Sequence, residues 1–165
     1  MAVGEFLQSI TSGASLAAIG AGIAVFLSGM GSAKAVGFTG EAVLGLNSED
    51  PSKFGKALIL QLLPATQGLY GFVISFLIVL KMNVFDPAAI PLTLTQGIYL
   101  LVAAIPIGIV GYFSAISQGK LSVAGINMIT KRPDQLGKAI TSISLVEFYA
   151  ILAFVISIIL VMFAK

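Results

Sequence analysis

Residues 140–164 read ITSISLVEFYAILAFVISIILVMFA, an apolar run in which Glu147 is the one charged side chain. About 20 apolar residues are enough for a helix to cross the hydrocarbon core of a bilayer. An acid near the centre of such a helix costs about 2.5 to 3.5 kcal/mol on insertion scales, and acids at that depth mark ion or proton pathways. The stretch therefore predicts a membrane helix built around a functional carboxylate.

The composition of the whole chain agrees with this interpretation. Of the 165 residues, 58% are hydrophobic and 10% are charged, whereas charged residues make up about 25% of a soluble domain. The chain has no cysteine and no histidine, which excludes disulfides, thiol nucleophiles and most transition-metal sites. The net charge of +2 is too small to indicate nucleic-acid binding. We expect an integral membrane protein in contact with lipid.

Four windows without charged residues are long enough to span a bilayer. They are Phe6–Ala33, Ala57–Leu80, Ala88–Gly119 and Ala139–Ala164. Residues 34–47 and 120–130 contain no strong helix breaker, so the first and third helices are expected to continue beyond the bilayer. The first window is rich in glycine and alanine, which predicts close packing of its backbone against other helices.

Basic residues predict the orientation of these spans. Seven of the nine lie in the first and third connections, residues 34–56 and 120–138. They are Lys34, Lys53, Lys56, Lys120, Lys131, Arg132 and Lys138. The positive-inside rule makes these two connections cytoplasmic. Both termini and the turn at 81–91 are then expected outside the cell.

The chain contains an internal repeat at an offset of 82 residues. Residues 55–57 (GKA) recur at 137–139, and residues 72–75 (FVIS) recur at 154–157. At an offset of 86, Ser28 and Lys34 fall on Ser114 and Lys120. The sequence therefore predicts one all-α membrane domain, residues 1–165, made of two parallel helical hairpins at 1–82 and 83–165.

The repeat shows what distinguishes Glu147. Its counterpart in the first hairpin is Ala65, followed at once by a polar segment. Leu63, Thr66, Gln67 and Tyr70 are spaced i, i+3, i+4 and i+7 and share one helix face. The proline between the first two removes a backbone donor, which predicts that carbonyls near Leu60 to Leu63 lose their helical partners. In the third span, Gln118 is the conspicuous amide.

Together these residues predict a cage for a small hard cation. Oxygen ligands come from Glu147, Thr66, Gln67, Gln118 and the Leu63 carbonyl, and Tyr70 can donate its hydroxyl to Glu147 and close the site. One carboxylate balances one monovalent ion, whereas a divalent ion leaves net positive charge at membrane depth. Sodium is the favoured ion. A proton needs only the carboxyl group and one acceptor, and it stays an alternative.

Gln61 is interpreted differently from the residues of the cage. It lies six residues before Gln67 and therefore on another face of the helix. Glutamines in membrane helices often connect neighbouring helices, so Gln61 is expected to form an interhelical hydrogen bond.

Four segments carry a resemblance to a known family. They are residues 26–40 (FLSGMGSAKAVGFTG), 58–72 (LILQLLPATQGLYGF), 113–120 (FSAISQGK) and 146–151 (VEFYAI). The chain closely resembles the rotor-ring (proteolipid, K or c) subunits of V-type rotary ATPases, especially the bacterial sodium-pumping form. In that family the site glutamate matches Glu147, and the sodium ligands match the other residues of the predicted cage, with Tyr70 as its cap.

The resemblance implies a homo-oligomeric ring of non-catalytic subunits. Its partners are a stator membrane subunit with an essential arginine and central-stalk subunits on the cytoplasmic side, and ATP is hydrolysed in other subunits. No GxxxxGK phosphate-binding loop occurs in the chain. Two alternatives of other classes remain at this stage: a self-contained four-helix ion channel or transporter, and a purely structural membrane protein.

Overall fold

The computed structural model describes residues 10–84, 86 and 90–164, and every regular element within them is helical. The helices are α1 (Gly13–Glu49), α2 (Phe54–Leu62), α3 (Thr66–Lys81), α4 (Leu94–Lys131) and α5 (Leu136–Met162). Short 3-10 turns lie at Pro51–Lys53, Leu63–Ala65 and Pro133–Gln135. Four helical segments of the described chain are long and apolar enough to cross a membrane, with α2 and α3 forming one of them. The predicted all-α, four-span fold is confirmed.

The ends of the long helices follow the sequence signals, with two corrections. The first span was expected from Phe6, but residues 11–12 are not helical, and α1 begins after Ser12, whose hydroxyl accepts from the Ser15 N–H. As predicted, α1 continues past Ala33 to Glu49, and α4 continues past Gly119 to Lys131. The third span was expected from Ala88, but residues 90–93 are not helical. Helix α4 begins after Thr93. The Thr93 hydroxyl accepts from the Gln96 backbone N–H, and the Gln96 side chain accepts from the Thr93 backbone N–H, which together form a capping box. Residues 6–9 and 88–89 of the predicted spans lie outside the described residues.

The two hairpins have the same kind of turn, in which a non-helical residue precedes a proline. Asp50 (φ −145°) precedes Pro51, and Arg132 (φ −136°) precedes Pro133. A residue before proline is driven out of the helical region, so α1 and α4 both end there. The Lys53 ammonium then donates to the Thr130 carbonyl at 2.9 Å, which ties the turn of the first hairpin to the end of α4. The internal repeat of the sequence is thus also a repeat of backbone conformation.

Helix α1 packs directly on the backbone of α4, as its small residues predict. A Cβ placed on Gly31 would lie 2.7 Å from the Tyr112 Cα, and one on Gly20 would lie 2.8 Å from the Leu101 Cα. Contacts this short are possible only for glycine. The first helices of the two hairpins are therefore in close contact, and their other faces are left for α2, α3 and α5.

Two apolar clusters fill the space between the helices. One contains Ala17, Ala21, Ala24, Ile74, Ile78, Leu100, Ala103, Ala104, Ile107 and Val161. The other contains Val43, Leu46, Ala57, Leu60, Ile126, Ile129, Ala139 and Ile143. Along each helix, the polar residues of the predicted cage fall between the members of these two clusters. The fold therefore places those residues in the middle of the bundle, with apolar packing on both sides.

A candidate cation site between the two hairpins

The candidate site begins at the interruption between α2 and α3. Pro64 lacks a backbone donor, and the chain makes a 3-10 turn there before α3 starts at Thr66. The expectation that the Leu63 carbonyl lacks a helical partner is wrong. It accepts from the Thr66 backbone N–H, and the Thr66 hydroxyl lies 3.1 Å from the same oxygen. In this turn the Leu63 carbonyl therefore bonds three residues ahead, to Thr66, and the Thr66 hydroxyl lies beside it.

Two buried glutamines connect the hairpins. Gln67 on α3 and Gln118 on α4 are both fully buried. The Gln67 side-chain nitrogen, Nε2, donates to the Gln118 oxygen, Oε1. Buried amides are stable in an apolar bundle only when they are hydrogen-bonded. The sequence placed these glutamines in one site, and the structure brings them into direct contact.

The oxygens of the interruption are closely spaced. The Thr66 hydroxyl oxygen lies 3.1 Å from the Leu63 carbonyl oxygen and 3.4 Å from Gln67 Oε1. Oxygens that bind one cation at about 2.3 to 2.6 Å, the range of Ca²⁺ sites, stand roughly 3.3 to 3.7 Å apart when they meet it at right angles. These three oxygens, the row of the site, would therefore need to move little to bind one hard cation together.

Glu147 stands on α5 and is half-buried. The Tyr70 hydroxyl donates to Glu147 Oε1 at 2.7 Å. The Tyr70 ring stacks on Phe154, with centroids 4.9 Å apart, which holds the phenol in place. Because Tyr70 lies one turn after Thr66 on α3, this pair adjoins the row of oxygens. The structure brings Tyr70 and Glu147 together as the sequence predicted.

The six predicted residues thus form two hydrogen-bonded groups side by side. One group links Leu63, Thr66, Gln67 and Gln118, and the other links Tyr70 and Glu147. Among the described residues, no group of three or more His, Cys, Asp or Glu could hold a metal ion. The arrangement offers one carboxylate and several neutral oxygens, the kind of donor that hard cations take.

Two serines with structural roles were not singled out from the sequence. The Ser32 hydroxyl on α1 accepts from the Gly68 backbone N–H at 2.8 Å. The Ser157 hydroxyl on α5 accepts from the Ile107 N–H at 3.3 Å, immediately after Pro106. Both serines lie near a proline that disturbs helical hydrogen bonding. A search for small polar residues opposite each intramembrane proline could have found them.

Gln61 has a separate role in the packing. Its side-chain nitrogen donates to the Val36 carbonyl on α1 at 3.3 Å. This contact confirms the expectation that Gln61 forms an interhelical hydrogen bond. Gln61 therefore connects α2 with α1.

Comparison with known proteins gives a family for the chain. The family of ATP synthase C subunits matches residues 19–78 and 95–160, one segment in each hairpin. The V-type sodium ATPase subunit K of Enterococcus hirae is 46% identical over 158 residues, which cover 96% of this chain and 97% of that protein. The A-type ATP synthase subunit K of Methanocaldococcus jannaschii is 38% identical over 145 residues, covering 88% of this chain and 61% of that protein.

Proposed function

The chain belongs to the family of ATP synthase C subunits, and from that membership we propose that it is the ion-carrying rotor-ring subunit of a V- or A-type rotary ATPase. We propose further that each copy carries one Na⁺, bound at Glu147 with oxygens from Leu63, Thr66, Gln67 and Gln118. Tyr70 closes the site by its hydrogen bond to Glu147. Many copies form the ring, and ATP is hydrolysed in partner subunits.

The observation that carries this proposal is the row of oxygens beside the carboxylate. A proton on Glu147 needs one acceptor, yet three further polar side chains line the same region of the bundle. These side chains are hydrogen-bonded to one another, but none of those bonds is needed to hold a proton on Glu147. A cation that binds these oxygens accounts for their presence. The name of the Enterococcus hirae relative, a sodium ATPase subunit, points to the same ion.

Charge balance explains how such a site can face lipid while the ring turns. A bare carboxylate facing lipid is strongly penalised, but a carboxylate that holds one Na⁺ is neutral. The ring therefore turns past lipid only with its sites filled. Around Glu147, the α5 side chains of Leu145, Phe148 and Tyr149 are exposed and mostly apolar, which suits contact with lipid or a neighbouring copy.

Release of the ion requires a competing positive charge. An arginine of the stator membrane subunit can pair with the Glu147 carboxylate and displace Na⁺ into an aqueous path. The next copy then loads from the other side. With one site per four helices, the ring moves few ions per turn for its circumference, which suits a pump working against a steep gradient.

The proposed orientation follows from the basic connections. Residues 34–56 and 120–138, which carry most of the positive charge, lie on the cytoplasmic side. Both hairpins make their tight proline turns there, so the turns form the surface for the central-stalk subunits. The termini lie on the opposite side.

Carbodiimide labelling of the purified ring tests the proposal. The reagent modifies protonated carboxyl groups, so bound Na⁺ should protect Glu147 at a fixed pH. We expect protection that saturates with Na⁺ and is not reproduced by choline. Labelling that is indifferent to Na⁺, in a ring whose assembled ATPase still transports ions, would assign the site to protons instead.

The oligomeric state separates a rotor subunit from a self-contained channel or transporter. A rotor subunit should be purified as a large ring that is stable in detergent. A chain that is isolated only as a monomer or dimer and conducts ions by itself would be a channel or transporter.

A further inference from the structure

Two buried polar atoms on α4 have no hydrogen-bond partner among the described residues. They are the side-chain nitrogen of Gln118, Nε2, and the hydroxyl oxygen of Ser122, Oγ. Both side chains are fully buried. An unpaired buried donor or acceptor costs about 1 to 3 kcal/mol, so two such atoms in one short segment call for an explanation.

The two atoms are neighbours on the helix surface. Residues four apart on an α-helix lie on one face, with Cβ atoms about 5 to 6 Å apart. Since neither atom has a partner within the described chain, they do not bond to each other directly. One water molecule with a hydrogen bond of about 2.8 Å to each can span a gap of this kind.

The orientation of the Gln118 amide gives this pair a function. Its oxygen accepts from Gln67 Nε2 and therefore faces the proposed ion ligands, so its nitrogen faces away from them. The bond from Gln67 holds the amide in this orientation, and a turned amide would lose that bond and present N–H donors to a cation. A partner for the nitrogen keeps the oxygen directed at the ion.

We propose that Ser122 is a positioning residue of the cation site, which holds one buried water molecule together with Gln118 Nε2 and thereby fixes the amide with its oxygen toward the ion. This inference rests on the proposed Na⁺ function. It extends the site by one turn of α4, to a residue that is not itself an ion ligand.

Ser114 provides a matched control. It is also a buried serine on α4, one turn before Gln118 instead of one turn after it. Its hydroxyl is already used, because it donates to the Gly111 carbonyl at 3.3 Å. Removing the Ser114 hydroxyl should therefore leave the orientation of the Gln118 amide unchanged.

Sodium-22 binding to purified rings of Ser122→Ala, Ser122→Thr and Ser114→Ala tests the inference. For Ser122→Ala we expect a Kd for Na⁺ about three- to tenfold higher, the effect of losing one ordinary hydrogen bond. We also expect weaker discrimination against K⁺, because the amide oxygen is less firmly placed. Ser122→Thr keeps the hydroxyl and should bind as the wild type does, and Ser114→Ala should leave the Kd essentially unchanged.

The thermal stability of the same rings, measured without Na⁺, separates this role from a structural one. If the Ser122 hydroxyl is merely unpaired, Ser122→Ala should raise stability and leave the Kd unchanged, and that result would overturn the inference. Failure of the wild-type ring to bind Na⁺ would instead overturn the proposed function. An ordered water within hydrogen-bond distance of both atoms in a Na⁺-loaded ring would support the inference.

Discussion

The two hairpins share a backbone plan but differ at the positions that could bind an ion. At the offset of 82, Ala65 stands where the second hairpin has Glu147. At the offset of 86, Ser32 stands where the second hairpin has Gln118. In the first hairpin, moreover, the Ser32 hydroxyl already accepts from a backbone N–H. The first hairpin therefore has an apolar side chain and a structural hydrogen bond where the second has a carboxylate and an amide.

On the second helix of each hairpin, it is the first hairpin that carries most of the proposed ligands and the second that lacks them. Residues in and just after the interruption of the first hairpin supply most of the neutral groups of the proposed site, and Gln118 supplies another. Their counterparts at the offset of 82 are Leu145 for Leu63, Phe148 for Thr66, Tyr149 for Gln67 and Leu152 for Tyr70. One set of proposed ligands is therefore drawn from both hairpins, and the symmetry-related side chains are missing. The comparison predicts one ion per chain.

The largest expected effect comes from removing the one acid. Glu147→Gln keeps the size of the side chain but removes its charge, so nothing balances a bound cation in the bundle. We expect Na⁺ binding to weaken by more than about 100-fold, equivalent to roughly 3 kcal/mol. Sodium-22 binding to the purified ring measures this loss.

Glu49→Gln is the matched control for that substitution. Glu49 is an exposed acid at the end of α1, and its replacement should leave Na⁺ binding unchanged. If Glu147→Gln rings bound Na⁺ with the wild-type affinity, the difference between Glu147 and Ala65 would be unrelated to ion binding.

A smaller effect is expected when the second hairpin is made like the first. Gln118→Ser removes one proposed oxygen ligand and leaves the buried Gln67 nitrogen without its acceptor. An unsatisfied buried donor together with a lost ligand should cost about 2 to 3 kcal/mol, or roughly 30- to 150-fold in Kd. Isothermal titration of the ring with NaCl gives the value.

Gln61→Ser is the matched control, because it removes a glutamine of the same bundle whose side chain bonds to the Val36 carbonyl on α1. This variant should bind Na⁺ with the wild-type Kd. If both glutamine variants lost affinity equally, the effect would belong to helix packing and not to the site.

Tyr70→Phe should have a moderate effect. The variant keeps the ring stacked on Phe154 but removes the hydroxyl that donates to Glu147. Loss of one hydrogen bond to a carboxylate should weaken Na⁺ binding by about 1 to 2 kcal/mol, or roughly five- to thirtyfold. We also expect faster release of sodium-22 from loaded rings, and Tyr149→Phe, which alters an exposed ring, should not accelerate it.

The sequence allows the spans and the site residues to be predicted for clear physical reasons. Hydropathy determines where a helix can cross a bilayer, and prolines such as Pro51 and Pro133 determine where it must end. Helical periodicity placed Thr66 and Gln67 on one face. The late start of α4 was missed because residues 90–93 are uncharged, and an absence of charge does not by itself indicate a helix.

Apart from the bond of Tyr70 to Glu147 and the interhelical role of Gln61, the contacts between helices could not be predicted in the same way. The bond between Gln67 and Gln118, and the pairing of Ser32 with the Gly68 N–H, depend on the distance and rotation of packed helices. Those are set by close backbone contacts such as that of Gly31 with α4. Sequence periodicity describes one helix at a time, so it identifies the polar face but not the atoms that it meets.

The smallest effect on Na⁺ binding is expected from restoring the missing acid. Ala65→Glu returns a carboxylate to the first hairpin, yet the Ser32 hydroxyl is already bonded there, and Phe148 and Tyr149 replace the hydroxyl and amide ligands. An isolated acid at this depth costs about 2.5 to 3.5 kcal/mol, so the ring should assemble in lower yield. In the rings that do assemble, equilibrium dialysis should still find one Na⁺ per chain. Two Na⁺ per chain would mean that a carboxylate alone is enough to make a site. The absence of the matching amide and hydroxyl groups would then not explain why the first hairpin lacks a site of its own.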